Sequence, residues 1–163
     1  MDNLAPDYTQ ADFVIEEKDF PERHFMVIEK TVPLDDMREF KFFHMKLGIY
    51  AFTRRAKPTY EVFAEYSNQT EDSITITMHF GVEQPLKGNK LIKPVTIPAH
   101  RAKLAIAYHK GPREYIPGIY GEFGKWFAEQ GLDRTGTMKE YMLNSPREVP
   151  ASELLTQLHW PIG

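Results

Sequence analysis

The stretch IPAHRAKLAIAYHKGP, residues 97–112, decides how the fold is read. It opens on Ile97-Pro98, continues into the apolar run Leu104-Ala105-Ile106-Ala107-Tyr108-His109-Lys110 and closes on Pro112. An apolar run bounded by prolines reads as a β-strand. The closing proline suits the first turn of a helix, where a missing N–H leaves nothing unsatisfied. Earlier in the chain, FPERHFMVIEKTVP, residues 20–33, is punctuated in the same way: Phe20-Pro21, an apolar stretch ending Val27-Ile28-Glu29-Lys30, then Pro33. The chain is therefore expected to run from strand to helix twice.

Working outward, a helical stripe follows each closing proline. Leu34, Met37, Phe40, Phe43, Leu47 and Tyr50 recur at helical spacing, and Phe42, Met45, Ile49 and Phe52 widen the stripe. Asp35 and Asp36 fall in the expected first turn and Arg54 and Arg55 near the end, as the helix dipole favours. The second stripe is Ile116, Ile119, Tyr120, Phe123, Trp126 and Phe127, with Gly131 as its stop. Two strands follow each helix. Tyr60-Glu61-Val62-Phe63 is answered by Glu140-Tyr141-Met142-Leu143, and the alternating run Ile74 to Phe80 is answered by Leu154 to Trp160. His79 and His159 then occupy equivalent places, as duplication would leave them.

The expected fold class is α+β: two strand–helix–strand–strand repeats, related by a pseudo-twofold axis, with a ligand cleft between them. Repeat one spans about 12–82 and repeat two about 96–163, joined by a linker, 83–95, that carries Pro85, Gly88, Asn89 and Pro94. One half is too short to bury both faces of its own sheet, so residues 1–163 are read as a single domain. Residues 1–11 are expected to form a mobile tail.

Composition narrows the function. At 42% hydrophobic and 13% aromatic, the 163 residues can fill a core. The absence of cysteine removes disulfides, Cys-ligated zinc, iron–sulfur clusters and thiol nucleophiles. A formal charge of −3 argues against a general nucleic-acid binder, and the cluster Arg54-Arg55-Ala56-Lys57 is accounted for by its place at a helix end. The six histidines show no metal-binding spacing, so neither metal nor cofactor is expected. There is no Gly-x-Ser-x-Gly elbow and no phosphate-cradling glycine loop. No basic leader precedes an apolar run, and no span approaches the roughly 20 apolar residues that cross a bilayer. A cytoplasmic location with no membrane partner is expected.

Several motifs point to one family. They are Ile97-Pro98-Ala99-His100-Arg101-Ala102, then His109-Lys110-Gly111-Pro112, the helix from Glu114 through Phe127, and Glu140-Tyr141-Met142-Leu143-Asn144-Ser145-Pro146 followed by Thr156 and Trp160-Pro161-Ile162. In these the chain resembles the GyrI-like small-molecule-binding domain, found also as the effector-binding part of AraC-type and MerR-type multidrug-responsive regulators. The resemblance implies a cleft that takes flat, hydrophobic and often cationic molecules, and a buried carboxylate on the strand where Glu140 falls. It also implies that some relatives sense or sequester ligands, while others resemble hydrolases of reactive cyclopropane-bearing natural products that use the carboxylate with a tyrosine. Two positions depart from the pattern. Arg113 stands where the family often has an aromatic, with Tyr115 as a stand-in, and Met142 stands where it has a tyrosine. Tyr141 does not replace that tyrosine, because alternation turns it to the other face.

Glu140 is the leading candidate for a site residue. Alternation places it on the face of Met138 and Met142. A carboxylate among apolar neighbours has a raised pKa unless a cation pairs with it, so Glu140 reads as a counter-charge awaiting one. The expected ligand-binding set is Glu140, Met142, Tyr108, Tyr60, Phe63, Phe42, Tyr115 and Trp160. Its aromatic faces would hold flat molecules and attract a cation by roughly 0.5–2 kcal/mol each. Trp126 and Phe127 read as core. The expected function is a stand-alone binding module for a hydrophobic, cationic small molecule, acting by sensing or sequestration. No direct DNA binding is expected, and a monomer is favoured. Two alternatives stay open. One is a hydrolase with Glu140 as general base, aided by Tyr60, Tyr108 or Tyr115. The other is a protein-interaction module, such as a gyrase modulator or a transcription effector subunit.

Overall fold

The structure, a computed structural model, describes residues 5–163. Strands β1 (Asp12–Phe20) and β2 (Arg23–Pro33) lead into helix α1 (Phe40–Thr53), then β3 (Pro58–Ser67) and β4 (Ser73–Val82). The order recurs as β5 (Lys93–Ile97), β6 (His100–Lys110), α2 (Ile116–Glu129), β7 (Lys139–Met142) and β8 (Leu155–Pro161). All eight strands join one antiparallel sheet in the order β1-β6-β8-β7-β3-β4-β2-β5. Exchanging β1 with β5, β2 with β6, β3 with β7 and β4 with β8 turns this order into its own reverse. The centre of the order is the β3–β7 pair.

Each half begins with one strand more than the sequence led us to expect, and each extra strand lies on the other half's edge. β1 pairs with β6 and β5 with β2. The run Glu16-Glu17-Lys18-Asp19 hides β1, because edge strands carry charge that discourages further pairing. β5 takes Lys93, Pro94 and Val95 out of the expected linker, and Pro94 is tolerated because an edge strand has one side free.

Helix α1 starts at Phe40, past Leu34 and Met37. The β2–β4 ladder continues through Thr31, Val32 and Pro33, so Pro33 closes a strand and does not open a helix. Asp35 and Asp36 thus sit in a turn, where Asp36 pairs with Arg38 at 2.8 Å. At the other end, Arg54 lies 3.5 Å above the Tyr50 ring. Pro112 behaves as expected: a single 3-10 turn, Arg113–Tyr115, leads into α2. The helix is followed by Gly131 at φ 64°.

Of the expected tail, residues 1–4 lie outside the described residues, and Tyr8 is docked. Its ring meets Tyr115 at 5.5 Å, and its carbonyl oxygen lies 2.8 Å from His109 Nε2. Gly111, at φ 140°, leaves the room, because a Cβ there would run into the Tyr8 ring.

Both helices cover the same face of the sheet. Phe43 and Leu47 of α1 pack on Met26, Ile28, Ala64, Ile76 and Met78, and Ile119 and Phe123 of α2 pack on Ala105, Ala107, Leu158 and Trp160. Burial of each large side chain contributes about 1.5–3 kcal/mol. The opposite face carries Phe25, Val27, Phe63 and Tyr141. Here four rings stack across four neighbouring strands. His79 meets Phe63 at 4.1 Å, Phe63 meets Tyr141 at 4.8 Å, and Tyr141 meets His159 at 4.3 Å. Burial pushes His79 down to about 4 and His159 down to about 3, so both are neutral at pH 7.

Candidate functional site

Glu140, on β7, stands opposite Ala64 of β3 and Leu158 of β8. It therefore lies on the helix-bearing face, between the areas that α1 and α2 cover, and is 8% exposed. Tyr66, two residues past Ala64 on β3, shares that face, and its hydroxyl donates to Glu140 Oε2 at 2.8 Å. The Tyr120 hydroxyl reaches Oε1 from α2 over a longer 3.4 Å. Burial raises the Glu140 carboxyl above the ordinary carboxylate range, while the Tyr66 hydroxyl, Arg113 and the Tyr120 hydroxyl pull it back. The same burial, reinforced by the Glu140 charge, drives both tyrosine hydroxyls well up, so they stay protonated and donate.

A cavity of about 570 Å³ is lined by His44, Tyr60, Val62, Phe80, Arg113 and Met142, and by the turn 143–148; Glu140 is not itself in this lining, and Met142 and Arg113 link it to the cavity. Met142 shares the face of Glu140 two residues along β7. Tyr60 reaches the rim because β3 is irregular between Pro58 and Val62, with Tyr60 itself at φ 65°. Gly81 makes that irregularity possible: a Cβ there would overlap the Thr59 side chain and come 2.9 Å from the Glu61 carbonyl oxygen. At the rim, His44 is held below its usual value first by desolvation, then by Arg113 and Arg147. Among the described residues, no group of three or more His, Asp or Glu side chains is arranged to hold a metal ion.

The structure places Met142 and Tyr60 in one cavity lining, with Glu140 two residues from Met142 on the same face of β7, and distributes the other candidates elsewhere. Phe63 and Tyr108 lie on the opposite face of the sheet. Phe63 is part of the four-ring stack, and the Tyr108 hydroxyl donates to Glu16 at 2.9 Å. Trp160 shares the face of Glu140 but is buried under α2, 4.6 Å from Phe127 and capped by Arg134 at 3.7 Å. Tyr115 lines a separate depression with Phe13 and Glu122. Phe42 lies on the outer side of α1, half-exposed, in a groove beside the cavity.

Tyr66, Tyr120 and the rim residues His44 and Phe80 were not among the expected site residues. Carrying the Val62–Ala64 alternation one step further would have put Tyr66 on the Glu140 face. Tyr120 belongs to an apolar helical stripe, where nothing separates a site tyrosine from a core one.

This geometry meets a known family. The chain belongs to the GyrI-like small molecule binding domain family, whose profile matches residues 13–162. Among solved structures, the C-terminal domain of EcmrR is 16% identical, with a TM-score of 0.77 over 93% of this chain and 98% of that domain. The EcmrR chain in its DNA complex is 18% identical with a TM-score of 0.77; the match covers 92% of this chain and 57% of that one. The chain thus spans little more than half the length of that regulator. A hydrolase from Listeria innocua is 14% identical, with a TM-score of 0.62 over 91% of each chain. SAV2435 bound to tetraphenylphosphonium is 7% identical, with a TM-score of 0.63 over 92% of this chain and 94% of that one. At such identities the likeness is one of fold. No curated protein matches.

Proposed function

We propose that the chain is a non-covalent binding module for hydrophobic small molecules, with Glu140 as the counter-charge for a cationic ligand. We read the whole chain as one binding domain whose two halves meet at this site, acting in the cytoplasm by sensing or sequestration. One observation carries the reading: a carboxylate, buried and held above its ordinary pKa, sits two residues from Met142, which lines a cavity together with Tyr60, Val62 and Phe80. A cation arriving there relieves a desolvated negative charge, and Tyr60 and Phe80 offer it ring faces. A lipophilic cation bound by SAV2435, a protein of this fold, supports the choice of ligand.

The test is a thermal shift with tetraphenylphosphonium on wild type and Glu140→Gln. A ligand at one hundred times its Kd adds about 2.7 kcal/mol. Loss of the shift in the variant supports the reading, and an equal shift in both proteins removes Glu140 from it.

The two tyrosine hydroxyls on Glu140 favour a second reading, hydrolysis of a reactive electrophile. Glu140 would take a proton from the attacking water while Tyr120 or Tyr66 donates one to the leaving atom. Slow consumption of an electrophile, lost in Glu140→Gln and reduced in Tyr120→Phe, separates this reading from simple binding.

A further inference from the structure

Arg113 and Arg147 both line the cavity that contains Met142 and Tyr60, and both contribute to lowering His44. Among the described residues, neither guanidinium has a carboxylate within 4.0 Å. Arg113 acts on Glu140 through space, and Glu148 is the one acidic side chain in the lining among the described residues. The mouth of the cavity is therefore more cationic than a simple cation trap requires.

A second depression, of about 550 Å³, shares His44, Phe80, Ser145, Pro146 and Arg147 with the cavity and continues along α1. Its wall is formed by Phe42, Met45, Ile49 and Phe52, with Phe52 82% exposed and Ile49 55%. These positions are three, four and three residues apart and form one stripe on the side of α1 away from the sheet. A surface helix ordinarily keeps that side polar. An apolar groove thus runs to Arg147 and, through the adjoining cavity, to Arg113, neither of which has a carboxylate within 4.0 Å among the described residues.

We infer that this composite groove binds an amphiphilic anion. Its carboxylate, sulfonate or phosphate group lies between Arg113 and Arg147, and its hydrocarbon tail lies along Phe42, Met45, Ile49 and Phe52. Guanidinium groups suit such a head because their forked N–H donors match two oxygens at once. The inference rests on reading the cavity as a small-molecule site, and adds an anion position to the cation position at Glu140. A zwitterionic amphiphile uses both.

The experiment is a calorimetric titration, below micellar concentration, of dodecanoate, octanoate and dodecyltrimethylammonium. The proteins are wild type, Arg147→Gln, Arg113→Gln/Arg147→Gln and Glu140→Gln. Wild type is expected to bind dodecanoate more tightly than octanoate by at least about tenfold, since each buried methylene strengthens binding about fourfold. Arg147→Gln should weaken dodecanoate and the double variant should weaken it by about tenfold or more, whereas Glu140→Gln, with a nearby negative charge removed, should tighten it. Equal dodecanoate binding by wild type and the double variant overturns the anion position. Loss of dodecyltrimethylammonium binding in Glu140→Gln tests the cation position separately. Ile49→Glu/Phe52→Glu should abolish the preference for the longer tail. If it instead dissociates a dimer while dodecanoate still binds, a second copy covers the stripe and the tail placement is overturned.

Discussion

The Tyr66 hydroxyl donates to Glu140 Oε2 at 2.8 Å, across the seam between β3 of the first half and β7 of the second. It opposes burial: a hydrogen bond to the ionised form favours that form, whereas desolvation disfavours it. Tyr66→Phe should therefore move the Glu140 titration further up. Tyr120→Phe should move it less, since its bond is 3.4 Å long and Tyr66 outranks it among the forces on the carboxyl. Carbon-detected NMR of the glutamate carboxyls reads both shifts, and a larger effect from Tyr120→Phe would contradict this ranking.

Glu140→Gln should stabilise the protein at pH 7. The folded carboxyl holds its proton more tightly than the unfolded one, so ionisation costs stability above the folded pKa. That penalty is relieved as pH falls through the raised value, and below the ordinary 4.5 both states are protonated. The Tm of the variant should exceed that of wild type at pH 7, and the two should converge near pH 4.

The four-ring stack should make the protein acid-sensitive. With His79 near 4 and His159 near 3, the unfolded chain takes up protons below about 6.5 while the folded chain does not. Their contribution is fully present above the ordinary value and is lost as pH falls toward 4. Each histidine supplies a slope of up to about 1.4 kcal/mol per pH unit. Urea unfolding at pH 7, 6 and 5 should show that slope reduced in His79→Gln, and an unchanged slope would remove His79 from the account.

Tyr60 and Gly81 should respond in opposite ways to changes in size. Tyr60 is at φ 65° and 79% exposed, so Tyr60→Gly gives up little burial and relieves about 1 kcal/mol of left-handed strain. Stability should rise while ligand binding weakens, since the rim loses its ring. Gly81→Ala meets Thr59 and the Glu61 carbonyl and should lose about 1–3 kcal/mol. Chemical denaturation of the two variants checks both signs.

The sequence made the helix stripes, the six inner strands and Glu140 legible, because each carries a periodic or burial signal of its own. Edge strands carry neither signal: β1 is laden with charge and β5 contains Pro94. Faces were harder to read than strands. Phe63 and Tyr108 are aromatics on correctly read strands, yet the β3–β7 and β6–β8 registers put them opposite to Glu140. Arg113 stood out only as a departure from a family pattern. The role proposed for it depends on Arg147 and on the Glu140 field, and no local spacing reveals either.

The exchange of edge strands has a consequence for synthesis. β1 pairs with β6 from Asp12 opposite Tyr108 to Phe20 opposite His100, so its partner is made 80 to 96 positions later. At ribosomal rates of about 5–20 residues per second, that is a wait on the order of ten seconds. β2 finds β4 much sooner. β1 thus waits longest for its first partner, and the charges of Glu16, Glu17, Lys18 and Asp19 discourage other pairings of the segment until β6 has been made.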